Sequence, residues 1–176
     1  MSYIQTDLTL KDKGKMKGVL AKLLNFSNKK IVIGIFLEEN LKKDLKKMLE
    51  ELSVGLKSLD VVVVALTDEK IENLNDIHNV PYTMKNREML IEASDMALTF
   101  DFNDVEELLL KGVVPISFKR KELINYDLKR ETGNSFIYSK NNVWAVFASI
   151  VRALETFKFP YDWKHLMREG VESVKN

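Results

Sequence analysis

Unbroken apolar runs alternate along this chain with segments in which apolar residues recur every third or fourth position. "IVIGIFL" from Ile31 to Leu37 and "VVVVAL" after Asp60 are continuous and largely β-branched. That pattern predicts strands buried on both faces, as a parallel sheet requires. Between them Leu41, Leu45, Met48, Leu49 and Leu52 form one apolar stripe with lysines around it, the signature of a crossover helix. Upstream, Leu20, Leu23 and Leu24, joined by Met16 and Val19, predict a helix that packs on the domain.

The alternation continues to the end. "NVPYTM" around Val80 reads as a short third strand weakened by Pro81. Residues 85–94 read as a helix and 96–100 as a strand. Asn103 and Glu106 have the spacing of a capping box, opening a helix through Lys111 that Gly112 ends. "VVPIS" and "SFIY" are the next strands, a long helix starts near Asn142, and Pro160 breaks the chain before a last amphipathic helix. Strands and helices in this order predict an α/β fold: a single doubly wound Rossmann-like domain over residues 1–176, with about six mostly parallel strands and helices on both faces.

Composition narrows the function classes. Twenty-seven basic residues against 26 acidic ones leave almost no net charge, so nothing demands nucleic acid or an anionic membrane as partner. The lysines at 11, 13, 15, 17, 22, 29 and 30 have only Phe26 interleaved as a stacking platform and read as a solvated helix face. The absence of cysteine excludes disulfides, thiol catalysis and thiolate-bound metals. With two distant histidines, His78 and His165, no metal site and no cofactor is expected. The amino terminus lacks the apolar core of a signal peptide, and the expected location is the cytoplasm.

In doubly wound sheets, ligands bind beyond the carboxyl ends of the strands, near the point where strand order reverses. The first such loop, "LEEN", is acidic and free of glycine, and neither GxGxxG nor GxxxxGK[ST] occurs. The carboxylate pairs Glu38/Glu39, Asp101/Asp104 and Glu106/Glu107 read first as complements to helix dipoles. Ser117 and Ser135 have no histidine nearby in sequence to form a triad, and Trp144 and Trp163 read as core residues.

The order "EASDMALT…EELLLKGVVPIS…ETGNSFIY…VWAVFASIVRALETF…DWKHLMREG" resembles the carboxyl-terminal, nucleotide-sugar-binding half of glycogen and starch synthases, which are GT-B glycosyltransferases. "KMKGVLAKLLNFSNKKIVIGIF" resembles the family's first helix and strand, so the match runs over roughly residues 13 to 170. The working positions differ. Phe36 and Leu41 align with the family's two phosphate-holding cations, although Lys42 adjoins the second. Of two acids that flank the sugar in the family, only the second has a counterpart, Glu107. Arg120, Lys121, Glu122 and Leu123 stand where the family has its "TGGL" glycines.

The resemblance implies a stand-alone domain that is inactive as a transferase by itself. It would bind a nucleotide or nucleotide-sugar or serve as an interaction module, with Lys42, Arg120 and Lys121 as replacement cations and Glu107 as the remaining donor-site acid. Two alternatives stand beside it. One is the donor-binding subunit of a hexosyltransferase completed by a separately encoded protein partner. The other is a Rossmann-like regulatory domain related only by architecture.

Overall fold

The structure, a computed structural model, describes residues 3–37, 42–69, 71, 74, 76–100, 102–140 and 142–175, with side chains from residue 10 onward. Glu38, Glu39, Leu41 and Asp101 lie outside the described residues. In chain order the elements are α1 (Tyr3–Leu24), β1 (Ile31–Phe36), α2 (Lys43–Leu56), β2 (Val61–Leu66), β3 (Ile77–Val80) and α3 (Met84–Ala93). There follow β4 (Met96–Leu98), α4 (Val105–Leu110), β5 (Val114–Phe118), β6 (Phe136–Tyr138), α5 (Val143–Phe157) and α6 (Pro160–Lys175). The six strands form one sheet in the order β3-β2-β1-β4-β5-β6, and every pairing is parallel. The order reverses between β1 and β4, which sets the position of a ligand in such sheets.

Because side chains alternate across a strand, the unbroken runs feed two cores. Ile33, Ile35, Val63, Leu98 and Ile116 face α2 and α5 through Leu49, Leu52, Val146 and Ile150, with Trp163 and Leu166 of α6 closing the end. On the opposite face Val32, Val62, Val64 and Ala97 meet Leu20 of α1, Leu90 and Ile91 of α3 and Leu108 of α4. α4 ends as expected at Gly112, whose φ of 63° is left-handed. The Val113 N–H donates to Leu108 O at 2.8 Å and the Gly112 N–H to Leu109 O at 3.0 Å, the Schellman closure that such a glycine permits.

Several expectations are corrected. Strand β3 ends at Val80, before Pro81, whose missing N–H cannot serve the ladder. The capping box does not form: Asp104 is the N-cap of α4 and makes no side-chain cap, its carboxylate being drawn to Arg87 at 2.7 Å. Pro160 opens α6 instead of preceding it, as a residue without an N–H can in a first turn. Trp163 is buried, but Trp144 is 81% exposed. On α1, Val19 and Leu23 point outward, and the apolar contact comes from Leu20 with Met16 and Leu24.

The lysine-rich segment is not wholly a solvated face either. Lys13 is buried, and its Nζ donates to Ser94 O. Lys17 Nζ pairs with Asp95 at 2.6 Å, and the same carboxylate oxygen accepts the Val32 N–H at 2.8 Å. α1 is thus pinned by two lysines to the junction of α3 and β4. Burial pushes the Lys13 ammonium down to about 8, against the opposing pull of Asp95. Among the described residues, no helix is long and apolar enough to cross a membrane.

Candidate functional site

Beyond the carboxyl ends of β4, β5 and β6 lies a cleft of about 540 Å³, lined by Lys42, Asp44, Leu45, Met48, Phe100, Phe118, Lys119, Arg120 and Tyr138. That volume is within the range of small-molecule sites. The start of α2 forms one wall. Lys42 is its N-cap, with extended backbone (φ −59°, ψ 141°) and no side-chain cap, and its carbonyl accepts the Leu45 and Lys46 N–H groups at 3.0 and 3.1 Å. The partial positive charge of this helix end therefore adds to the Lys42 ammonium.

The opposite wall is aromatic and basic. Alternation places Ile116 and Phe118 of β5, and Phe136 and Tyr138 of β6, on the same face. At the sheet edge the rings of Phe118 and Tyr138 stand 6.0 Å apart at 56°. Phe100, just past β4, has φ 29°, a conformation that non-glycine residues seldom hold without support. Support comes from Arg120, whose Nη2 donates to Phe100 O at 2.8 Å. One bond leaves the rest of the guanidinium fork available while fixing its direction.

The segment after β5 is built, not loose. Asn134 accepts the Ile124 N–H at 2.8 Å and donates to Glu122 O at 3.1 Å and Ser173 Oγ at 3.0 Å, which ties it to α6. Asn125 Oδ1 accepts the Ile137 N–H at 2.9 Å, so this segment also covers the outer edge of β6. Gly133, at φ 119°, lies so close that a Cβ there would meet Tyr126 Cα at 2.7 Å. Ser135 Oγ donates to Ile124 O at 2.9 Å, and Ser117 Oγ is buried without a hydrogen-bond partner among the described residues.

The residues singled out from the sequence divide into two groups. Lys42 and Arg120 both line the cleft. Lys121 is outside it, 91% exposed in its side chain and 3.7 Å from Glu122. Glu107 is on α4, where its Oε2 accepts from Arg87 Nη2 at 2.6 Å. Arg87 also holds Asp104 and lies over the Phe102 ring, and the hydrogen bond it donates to Glu107 raises its pKa above the ordinary value against the effect of burial. Phe36, at the position of the family's first cation, is core, packed on Phe102 with centroids 4.9 Å apart. Sequence reasoning missed Asp44, Phe100 and Tyr138 as cleft residues and Arg87 as a clamp. The available signal was the alternation past each strand end, which puts 100, 118 and 138 on one side.

No family profile matches this sequence, and no curated protein sequence does. Solved structures do match. A glycosyltransferase from Rickettsia africae ESF-5 superimposes with a TM-score of 0.68 at 13% identity, over 92% of this chain and 47% of its own. Sucrose-phosphate synthase from Thermosynechococcus elongatus gives 0.64 at 11% identity, over 88% and 43%. WaaG, a glycosyltransferase involved in lipopolysaccharide biosynthesis, gives 0.61 at 9% identity, over 89% and 46%. The chain thus spans under half the length of each of these proteins. It has the Rossmann-like fold of one half of a GT-B glycosyltransferase, and the share matched is consistent with the carboxyl-terminal half.

Proposed function

We propose that this domain binds a nucleotide or nucleotide-sugar in the cleft at the carboxyl edge of its sheet and does not carry out glycosyl transfer by itself. The observation that carries this reading is the meeting of Lys42, Lys119 and Arg120 with the rings of Phe100, Phe118 and Tyr138 in one cleft. Cations beside a helix amino terminus suit phosphate. Aromatic faces suit a planar base, and a cleft of this volume accepts both together. Transfer needs placed charge at the reacting centre. Glu107 has its carboxylate engaged by Arg87 at 2.6 Å and is on α4, apart from the residues that line the cleft.

Titration of the full chain with ADP, UDP, ADP-glucose and UDP-glucose, followed by melting temperature and calorimetry, tests the proposal. A ligand at a hundred times its Kd adds about 2.7 kcal/mol of stability, a shift readily measured. Failure of every nucleotide to raise the melting temperature at millimolar concentration sinks the binding reading. Release of glucose or its transfer to an oligosaccharide by the chain alone sinks the non-catalytic part. A second reading, a donor-binding subunit that works with a separately encoded half, is supported by the chain covering under half of each matched transferase. It predicts transfer only after the second half is added.

A further inference from the structure

We infer that the cleft recognises its ligand by a free terminal phosphate and an aromatic base, so that it takes a nucleoside mono- or diphosphate in preference to the corresponding sugar ester. The inference rests on the cleft being the nucleotide site proposed above. Three cations, Lys42, Lys119 and Arg120, face one carboxylate, Asp44, among the described lining residues. Neither Lys42 nor Lys119 has an ion-pair partner among the described residues. Arg120 is already oriented by its bond to Phe100 O at 2.8 Å. An anion gains the remaining fork without the cost of ordering that side chain.

A phosphate with a free end carries between one and a half and about two negative charges near neutral pH. Esterifying it with a sugar removes roughly one of these and puts hydroxyl groups where the cations expect oxygens. In a partly screened cleft, one further charge facing three cations is worth on the order of tenfold in affinity. Hexose hydroxyls, by contrast, need paired acceptors and donors of set geometry. On the described walls the polar side chains other than the three cations are Asp44 and Tyr138. The tilted rings of Phe118 and Tyr138, 6.0 Å apart, give the base its surface.

Calorimetry on the full chain at low salt, with ADP, UDP, their glucose esters, adenosine and inorganic pyrophosphate, tests this. The diphosphates are expected to bind about tenfold more tightly than their glucose esters, and more tightly than pyrophosphate or adenosine. Lys42 and Lys119 are exposed and Phe118 is 45% exposed, so K42Q/K119Q and F118A are expected to fold with unchanged circular dichroism. The double variant is expected to lose the preference for the diphosphate over its ester. F118A is expected to weaken ADP several-fold and leave pyrophosphate unchanged. Esters that bind as tightly as the diphosphates, or a preference that survives K42Q/K119Q, overturn the inference while leaving the cleft a nucleotide site. Pyrophosphate equal to ADP, or F118A without effect on ADP, overturns the role given to the base. No binding by any nucleotide removes this inference and the proposed function together.

Discussion

Replacing Lys13 by methionine keeps an unbranched chain of similar length in the α1 contact while removing the ammonium and its donation to Ser94 O. The unfolded chain carries this lysine near its ordinary value of 10.5, and burial lowers it to about 8 in the fold. Below pH 8 both states hold the proton, and the folded state bears the cost of a buried charge. Between about 8 and 10.5 the unfolded chain binds the proton that the folded chain has lost, so stability rises with pH. The full difference corresponds to about 3 kcal/mol, of which about 2 kcal/mol has been recovered near pH 9.5. Asp95 and Glu92 act to keep the proton on, and Lys17 and Lys111 to remove it. All four remain in the variant, as do the other titrating groups. Urea unfolding of both proteins near pH 7 and near pH 9.5 therefore isolates Lys13. The wild type is expected to gain about 2 kcal/mol relative to K13M over that interval. A difference between the two proteins that does not change with pH would refute the buried, proton-shedding lysine.

Two further substitutions test the frame around the cleft. Gly133→Ala places a Cβ 2.7 Å from Tyr126 Cα and 2.8 Å from Asn125 O at a φ of 119°. It should cost about 3 kcal/mol by urea midpoint, and an unchanged midpoint would mean that the segment after β5 yields easily. Arg87→Met leaves Asp104 and Glu107 without their cation, but these side chains are 64% and 37% exposed and rehydrate. The expected loss is therefore only about 1–2 kcal/mol, with faster amide exchange in α4, and normal exchange there would show that the clamp is dispensable.

The sheet was the most legible part of the sequence because it is buried on both faces. The runs at Ile31 and Val61 needed no partner information to be read as strands, and Gly112 declared a helix end by its backbone alone. Legibility failed where a tertiary partner outbid a local rule. Asn103 and Glu106 fit a capping box, yet Arg87, 17 residues before Asp104 in sequence, captures the Asp104 carboxylate and the helix starts there. Lys13 looks like its neighbours on paper, and only the packing of α1 on α3 decides that it is buried. Strand β3 buries only its two ends, Ile77 and Val80, so its pattern was too thin to fix its limits. For the site, Lys42, Arg120 and Lys121 were named because they stand at or beside the family's donor-site positions, and of these Lys42 and Arg120 line the cleft. Glu107 was chosen by alignment, and alignment carries no information about which cation will claim it.

The position of β1 also bears on the order in which the chain can be completed. β1 pairs with β2, the strand that follows it, and on its other side with β4, which is made only after two more strands and two more helices. Until residues 96–98 exist, one edge of "IVIGIF" presents open backbone groups between apolar faces. Fragments that stop short of β4 are therefore expected to associate edge to edge, and folding waits on a contact distant in sequence. The strand that reads most plainly from the sequence is one that nascent chains must shield for longest.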